Sequence, residues 1–230
     1  MRNKLVQLVD DSNPNSLGSY FRKKRIKVFV TMLNQIQANP ISILDVGGRS
    51  DFWENMSDNI DITKLNITIT NLEDNRDSNT KYRYIQADAR KLPFKDKEFD
   101  VVFSNSVIEH IEGSDGVTFI EQKKMAEEVL RVGNYFYIQT PNYWFPFEPH
   151  FLFPFFQFLP FFLKIWLVQN FSLGWFEKCK YKKDAERLIK SIRLLNLKEM
   201  RELFPSSNTY KEKIFVLTKS ITKYGPVEKL

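Results

Sequence analysis

The chain has 230 residues, enough for one α/β domain with additions, and its 43% hydrophobic and 27% charged residues are ordinary for a globular protein. A formal net charge of +6 permits an anionic surface or substrate without demanding nucleic acid, and a single cysteine, Cys179, excludes an internal disulfide. The first ten residues hold no apolar core long enough for a signal peptide, so a cytoplasmic location is expected.

Residues 1–15 read as a short helix and a loop. A helix is predicted from Ser16 to Ala38, because Ile26, Phe29, Val30, Leu33 and Ile36 share one apolar face, and Asn39-Pro40 ends it. Its first half carries Arg22, Lys23, Lys24, Arg25 and Lys27, which suit either a solvated face or contact with phosphate or anionic lipid. Ile41 to Val46 reads as a buried strand, with Asp45 near its end and Gly47 and Gly48 directly after it. A glycine pair there permits a tight turn and close approach of backbone to a ligand. Phe52 to Met56 has room only for a short helix, so the second strand begins near Asn66 and runs towards Asp74. The polar loop Asp74–Ser78 leads to a third strand, Tyr84 to Ala89. A fourth, entered through Pro93, closes on Glu109-His110. Gly113 to Gly116 is turn chemistry, followed by a helix from Thr118 to Leu130 and a fifth strand from Val132 to Gln139. This alternation argues for a parallel, doubly wound sheet.

An aromatic loop, Thr140 to His150, leaves the fifth strand. Residues 151–168 are almost wholly apolar, but Pro154, Pro160 and Lys164 interrupt them, which predicts two short helices starting near the two prolines rather than a membrane span. Two more helices are expected over 184–204, the second capped by Asn196 and stopped by Pro205, and two strands over Tyr210 to Tyr224.

Four strand ends in this order, with the Glu109-His110 pair after the fourth, resemble the class I S-adenosylmethionine-dependent methyltransferases, in their small-molecule, type 11-like branch. The resemblance is specific over Ile41 to Tyr137 and looser elsewhere. It implies a seven-stranded, mostly parallel Rossmann-like sheet with an antiparallel C-terminal hairpin, here with a helical aromatic insertion. The whole chain would be one domain: N-terminal helices over 1–40, a cofactor-binding half over 41–140, an aromatic cap over 141–183, and C-terminal helices with the hairpin over 184–230. It implies S-adenosylmethionine as cofactor. Asp45 would order the glycine turn, with Gly47 and Gly48 beneath the methionine part of the cofactor. Asn71 and Glu73 would share the ribose hydroxyls; Asp88, with the Ala89 amide, would take the adenine; Ser104 and Asn105 would line the floor under the sulfonium. Arg49 stands where the family usually continues with glycine, and would either crowd the cofactor or reach its carboxylate.

A hydroxyl acceptor must lose its proton, and a positioned base supplies roughly 10²–10⁴-fold. His110 and His150 are the chain's only histidines, and both follow strand ends where ligands of such sheets sit. Each is also readable as a structural residue, His150 being held by Glu148. The rings Phe151, Phe153, Phe155, Phe156, Phe158, Phe161, Phe162 and Trp166 exceed what one small lid can hide, so some should meet an apolar acceptor, a partner or an anionic membrane surface; the alternative is a tightly packed helical cap over the active site. The expected activity is O-methylation of a small or lipid-linked acceptor such as a glycan or quinone precursor. The competing reading is a non-catalytic cofactor-binding or scaffold protein with a degenerate glycine loop. The chain has no Asn/Asp-Pro-Pro-Tyr-like motif and no appended nucleic-acid-binding domain, so no nucleic-acid partner is expected.

Overall fold

A computed structural model describes residues 6–7, 16–73, 81–113 and 118–227. Most of the expected N-terminal helix and loop, the Asp74–Ser78 loop and the turn at 114–116 lie outside the described residues.

The sheet comprises β1 (Ile41–Val46), β2 (Leu65–Asn71), β3 (Arg83–Gln86), β4 (Phe99–Asn105), β5 (Gly133–Pro141), β8 (Asn208–Ile214) and β9 (Leu217–Pro226), in the order β3-β2-β1-β4-β5-β9-β8. β1 to β5 run parallel, and β9 and β8 close the edge as an antiparallel hairpin. The two-residue period of each strand sorts its side chains between the faces. Ile41, Ile43, Val101 and Phe103 meet Ile26, Phe29, Met32 and Leu33 of helix α1 (Leu17–Leu33) and Trp53 of helix α2 (Ser50–Asn55). Leu44, Val46, Val102 and Phe136 meet Met125, Ala126 and Val129 of helix α3 (Thr118–Val132), together with Met200 and Leu203. Strand order reverses between β1 and β4, which opens a crevice at their carboxyl ends.

Helix α1 is capped by Ser16, whose hydroxyl accepts from the Ser19 amide, and it ends five residues short of the predicted Ala38. One expected surface cation is not on the surface. Arg25 is 7% exposed and donates through Nη1 to both oxygens of Glu212 at 3.0 Å, tying α1 to β8, with Lys219 Nζ 3.1 Å from the same carboxylate.

The aromatic segment folds differently from the prediction. Pro154 begins no helix: it sits in β7 (Phe153–Pro154), paired with Phe147 of β6 (Phe147–Glu148). Phe155 then turns left-handed, with φ of 59°, which an α-helix cannot accommodate. A single 3₁₀ turn at Phe156–Phe158 follows, and the second expected helix forms as α4 (Phe161–Asn170) behind Pro160. Phe151 and Phe156 stack at 4.0 Å in a core shared with Ile165, Val168 and two residues of α5 (Lys182–Lys190), Ala185 and Ile189. Phe155, Phe158, Phe161, Phe162 and Trp166 remain exposed. So do Phe215 and Val216 at the hairpin tip, which the sequence reading passed over. Among the described residues no helix is long and apolar enough to cross a membrane. Helix α6 (Leu197–Leu203) carries the expected cap: Asn196 accepts from the Lys198 and Glu199 amides while Glu199 accepts from the Asn196 amide.

Candidate active site

The crevice at the β1/β4 switch holds a pocket of about 370 Å³, lined by Arg22, Asp45, Gly47, Gly48, Arg49, Asp51, Phe52, Asn55, Phe103 and Asn105. Its shape comes from the turn after β1. Gly47 has φ of +74°, and a Cβ there would lie 2.6 Å from Val107, so only glycine lets the chain turn this tightly. A Cβ on Gly48 would lie 1.8 Å from Asp45 Oδ2. That carboxylate is 1% exposed and accepts from Trp53 Nε1 at 2.7 Å. Burial pushes its pKa up to about 7, against the lowering effect of the Trp53 hydrogen bond. Two bonds pin the turn to β2: the Gly47 amide to Thr70 O at 2.7 Å, and Asn71 Nδ2 to Gly48 O at 2.7 Å. Arg22 covers the Phe52 ring at 5.4 Å on the rim.

Arg49 neither fills the pocket nor crowds the turn. Its side chain is 77% exposed and pairs with Asp51 at 3.1 Å. Asn71 spends a donor on Gly48, which leaves its amide oxygen as an acceptor. Glu73 is exposed beyond the end of β2. Asp88 is occupied by Arg90, which approaches both carboxylate oxygens at 2.6–3.0 Å; these hydrogen bonds hold its pKa below the usual carboxylate range. Asp88 and Ala89 lie outside the pocket lining, as do Asn71, Glu73 and Ser104. Ser104 is fully buried and donates to Val46 O at 2.9 Å, so it braces β4 against β1 beneath the floor that Asn105 lines.

The two histidines meet. Their rings lie 4.7 Å apart, edge to face, above the ends of β4 and β5. His150 Nδ1 is 2.7 Å from Glu148 Oε1, and Glu148 Oε2 accepts from the His150 and Phe151 amides at 2.8 and 2.6 Å. The other ring nitrogen, Nε2, is 3.9 Å from Glu109 Oε1. Burial works against a charged His150, but the Glu148 hydrogen bond and the charges of Glu148 and Glu109 outweigh it and raise its pKa. His110 keeps an open edge, yet burial on its other sides and the neighbouring His150 lower its pKa to about 4. Glu109 is fully buried; Oε2 accepts from the Thr140 hydroxyl at 2.9 Å, while Oε1 has no hydrogen-bond partner among the described residues. Burial raises the Glu109 pKa against the lowering charge of His150. Sequence reasoning named the histidines and suspected the Glu148 contact; it assigned no role to Glu109, Thr140 or Trp53. Trp53 was findable in principle, as a large ring one short helix beyond the glycine turn.

Residues 44–138 match a family described as Methyltransferase domain. A comparison with curated proteins found no match. Among solved structures, a Pyrococcus horikoshii protein is similar at 16% identity over 93% of each chain, with a TM-score of 0.52. A SAM-dependent methyltransferase from Aquifex aeolicus is similar at 12% identity over 97% of each chain, with a TM-score of 0.53. At such identities these likenesses speak for the fold. Residues 44–138 thus carry a methyltransferase domain, and the strand order with the glycine turn at its switch point gives the chain the Rossmann-like fold of the S-adenosylmethionine-dependent methyltransferases.

Proposed function

We propose that the chain methylates an oxygen of a small or lipid-linked acceptor bound over the Glu109–His110–His150 cluster. The observation that carries this reading is the paired setting of His150, with Nδ1 fixed by Glu148 at 2.7 Å, Nε2 3.9 Å from Glu109 and the His110 ring packed against it. The pocket beside β1 fits the cofactor at its methionine end: Gly47, Gly48 and Asn105 line it, and the exposed Arg49 guanidinium is a partner for a carboxylate. Asn71, Glu73, Asp88 and Ala89 are assigned to the adenosine end, and an adenine contact at Asp88 requires Arg90 to yield one of its bonds.

When bound, S-adenosylmethionine supplies an electrophilic methyl group on a positively charged sulfur. Strand ends and the glycine turn hold the reactants in line, a contribution on the order of 7–11 kcal/mol when orientation is good. His150 takes the acceptor proton at Nε2, Glu148 keeps the imidazole in the required tautomer, and Glu109 offsets the charge that develops. A base of this kind contributes roughly 10²–10⁴-fold.

A lipid-linked acceptor is favoured by Phe155, Phe158, Phe161, Phe162 and Trp166, which stay exposed on the cap. Peripheral binding to anionic liposomes that salt weakens, and that serine at Phe155 and Phe158 abolishes, supports that choice; indifference to liposomes at low salt favours a soluble acceptor. The non-catalytic alternative rested on Arg49 blocking the loop, and the outward turn of that side chain removes its main support. Incubation with methyl-labelled cofactor and separated membrane and soluble extract fractions tests the reading. Labelled product that forms with wild-type protein and falls by at least roughly 10²-fold with His150→Ala is expected. Cofactor binding without transfer to any fraction would favour the scaffold.

A further inference from the structure

We propose that Glu109, His110 and His150 bind one divalent first-row transition-metal ion, leaving coordination positions open to the acceptor. One ligand atom from each of the three lies within 4.8 Å of the others, Glu109 and His110 coming from the 3₁₀ turn after β4 and His150 from the turn between β6 and β7. Metal bonds of roughly 2.0–2.2 Å place ligand atoms about 3.5–4 Å apart, so side-chain rotations of under about 1 Å close the set. His150 Nε2 and Glu109 Oε1 are already 3.9 Å apart.

Two further observations point to a ligand. Glu109 Oε1 is buried and has no hydrogen-bond partner among the described residues, although the other oxygen of the same carboxylate accepts from Thr140. An unpartnered buried carboxylate oxygen is costly; His150 Nε2, 3.9 Å away, is beyond hydrogen-bond reach of it, and an ion held between the two would engage both. In addition, His150 has the outer-shell arrangement of a metal-ligating imidazole: a carboxylate sits 2.7 Å from Nδ1, and in the neutral tautomer that donates to it Nε2 carries the lone pair an ion needs. Two imidazoles and one carboxylate suit zinc, iron(II), cobalt(II) or manganese(II) rather than calcium or magnesium, whose sites are built of oxygen.

The ion deepens the proposed methyl transfer and, for its role, rests on that reading. With an ion bound, the imidazoles act as ligands. The ion would supply acidification of a coordinated acceptor hydroxyl, as it does for a bound water, and would take over from His150 the removal of that proton, while the acceptor and the methyl transfer stay as proposed above.

The test is titration of the chelator-treated full chain with Co(II), followed by visible absorption, and with Zn(II), followed by calorimetry. The expected result is one ion per chain, with Glu109→Gln and His150→Ala each weakening binding by at least about tenfold and removing the cobalt band. Cys179→Ser, which changes a half-buried thiol outside the cluster, should leave binding unchanged. Circular dichroism of Glu109→Gln checks that the fold survives, since the amide keeps the Thr140 contact. No saturable binding by wild-type protein, or binding indifferent to both cluster variants, overturns the proposal. The two readings separate cleanly. Methyl transfer that persists in chelator but needs His150 leaves the base and removes the ion; ion binding without transfer to any acceptor keeps the ion and removes the O-methylation.

Discussion

Replacing Asp45 with asparagine removes a buried ionisable group while preserving an oxygen for Trp53 Nε1, which now lies 2.7 Å from Oδ2. The Asp45 pKa stands at about 7 in the folded chain against an ordinary 3.8, because burial disfavours the charged form more than the Trp53 bond favours it. At 1.36 kcal/mol per pH unit, that difference is worth about 4 kcal/mol. The folded value is raised, so this contribution to stability is fully present below pH 3.8 and is lost as the pH climbs to about 7. Other groups titrate with the opposite sign at the acidic end: Asp88 and Glu128, for example, have pKa values lowered by their hydrogen bonds to Arg90 and Arg131, so their contribution is lost as the pH falls below the ordinary carboxylate range. The informative quantity is therefore the difference between variant and wild type. Urea unfolding at pH 5 and pH 8 should show Asp45→Asn gaining about 3 kcal/mol relative to wild type between those two conditions. An unchanged difference, or one that shrinks with pH, would refute the account of Asp45 as a carboxyl trapped under Gly48.

Arg25→Ala should cost about 3 kcal/mol in the same unfolding assay, because it leaves Glu212 buried, although the Lys219 contact softens the loss. Losing the α6 cap with Asn196→Ala should cost about 1 kcal/mol, with cofactor affinity unaffected.

The fold was legible where local signals agreed. Ile43 and Leu44 face opposite sides of β1 and find opposite cores, as strand alternation demands, and Asn196 with Glu199 announces α6 before any contact is known. Pro154 misled because its fit to a helix start is a preference of the first turn alone. The outcome was decided by the ladder to Phe147 and by the left-handed Phe155, both set by tertiary packing. Arg25 read as one cation among five; nothing within its own helix reveals a partner 187 residues away. The histidines could be nominated from strand ends, but their 4.7 Å contact depends on how the loop after β5 folds back over β4. Glu109 Oε1 as an unpartnered buried oxygen is likewise a property of packing and leaves no trace in residue order.

Calorimetric titration with S-adenosylmethionine tests the central claim most directly, since every catalytic reading requires the β1 turn to hold that cofactor. The account predicts saturable binding at one site per chain. Asn71→Ala, which frees the Gly48 carbonyl and removes the acceptor proposed for the ribose, should weaken it by about 1–3 kcal/mol, roughly 5- to 150-fold. A folded wild-type chain that binds no S-adenosylmethionine, or an Asn71→Ala variant that binds it as tightly as wild type, would contradict the account.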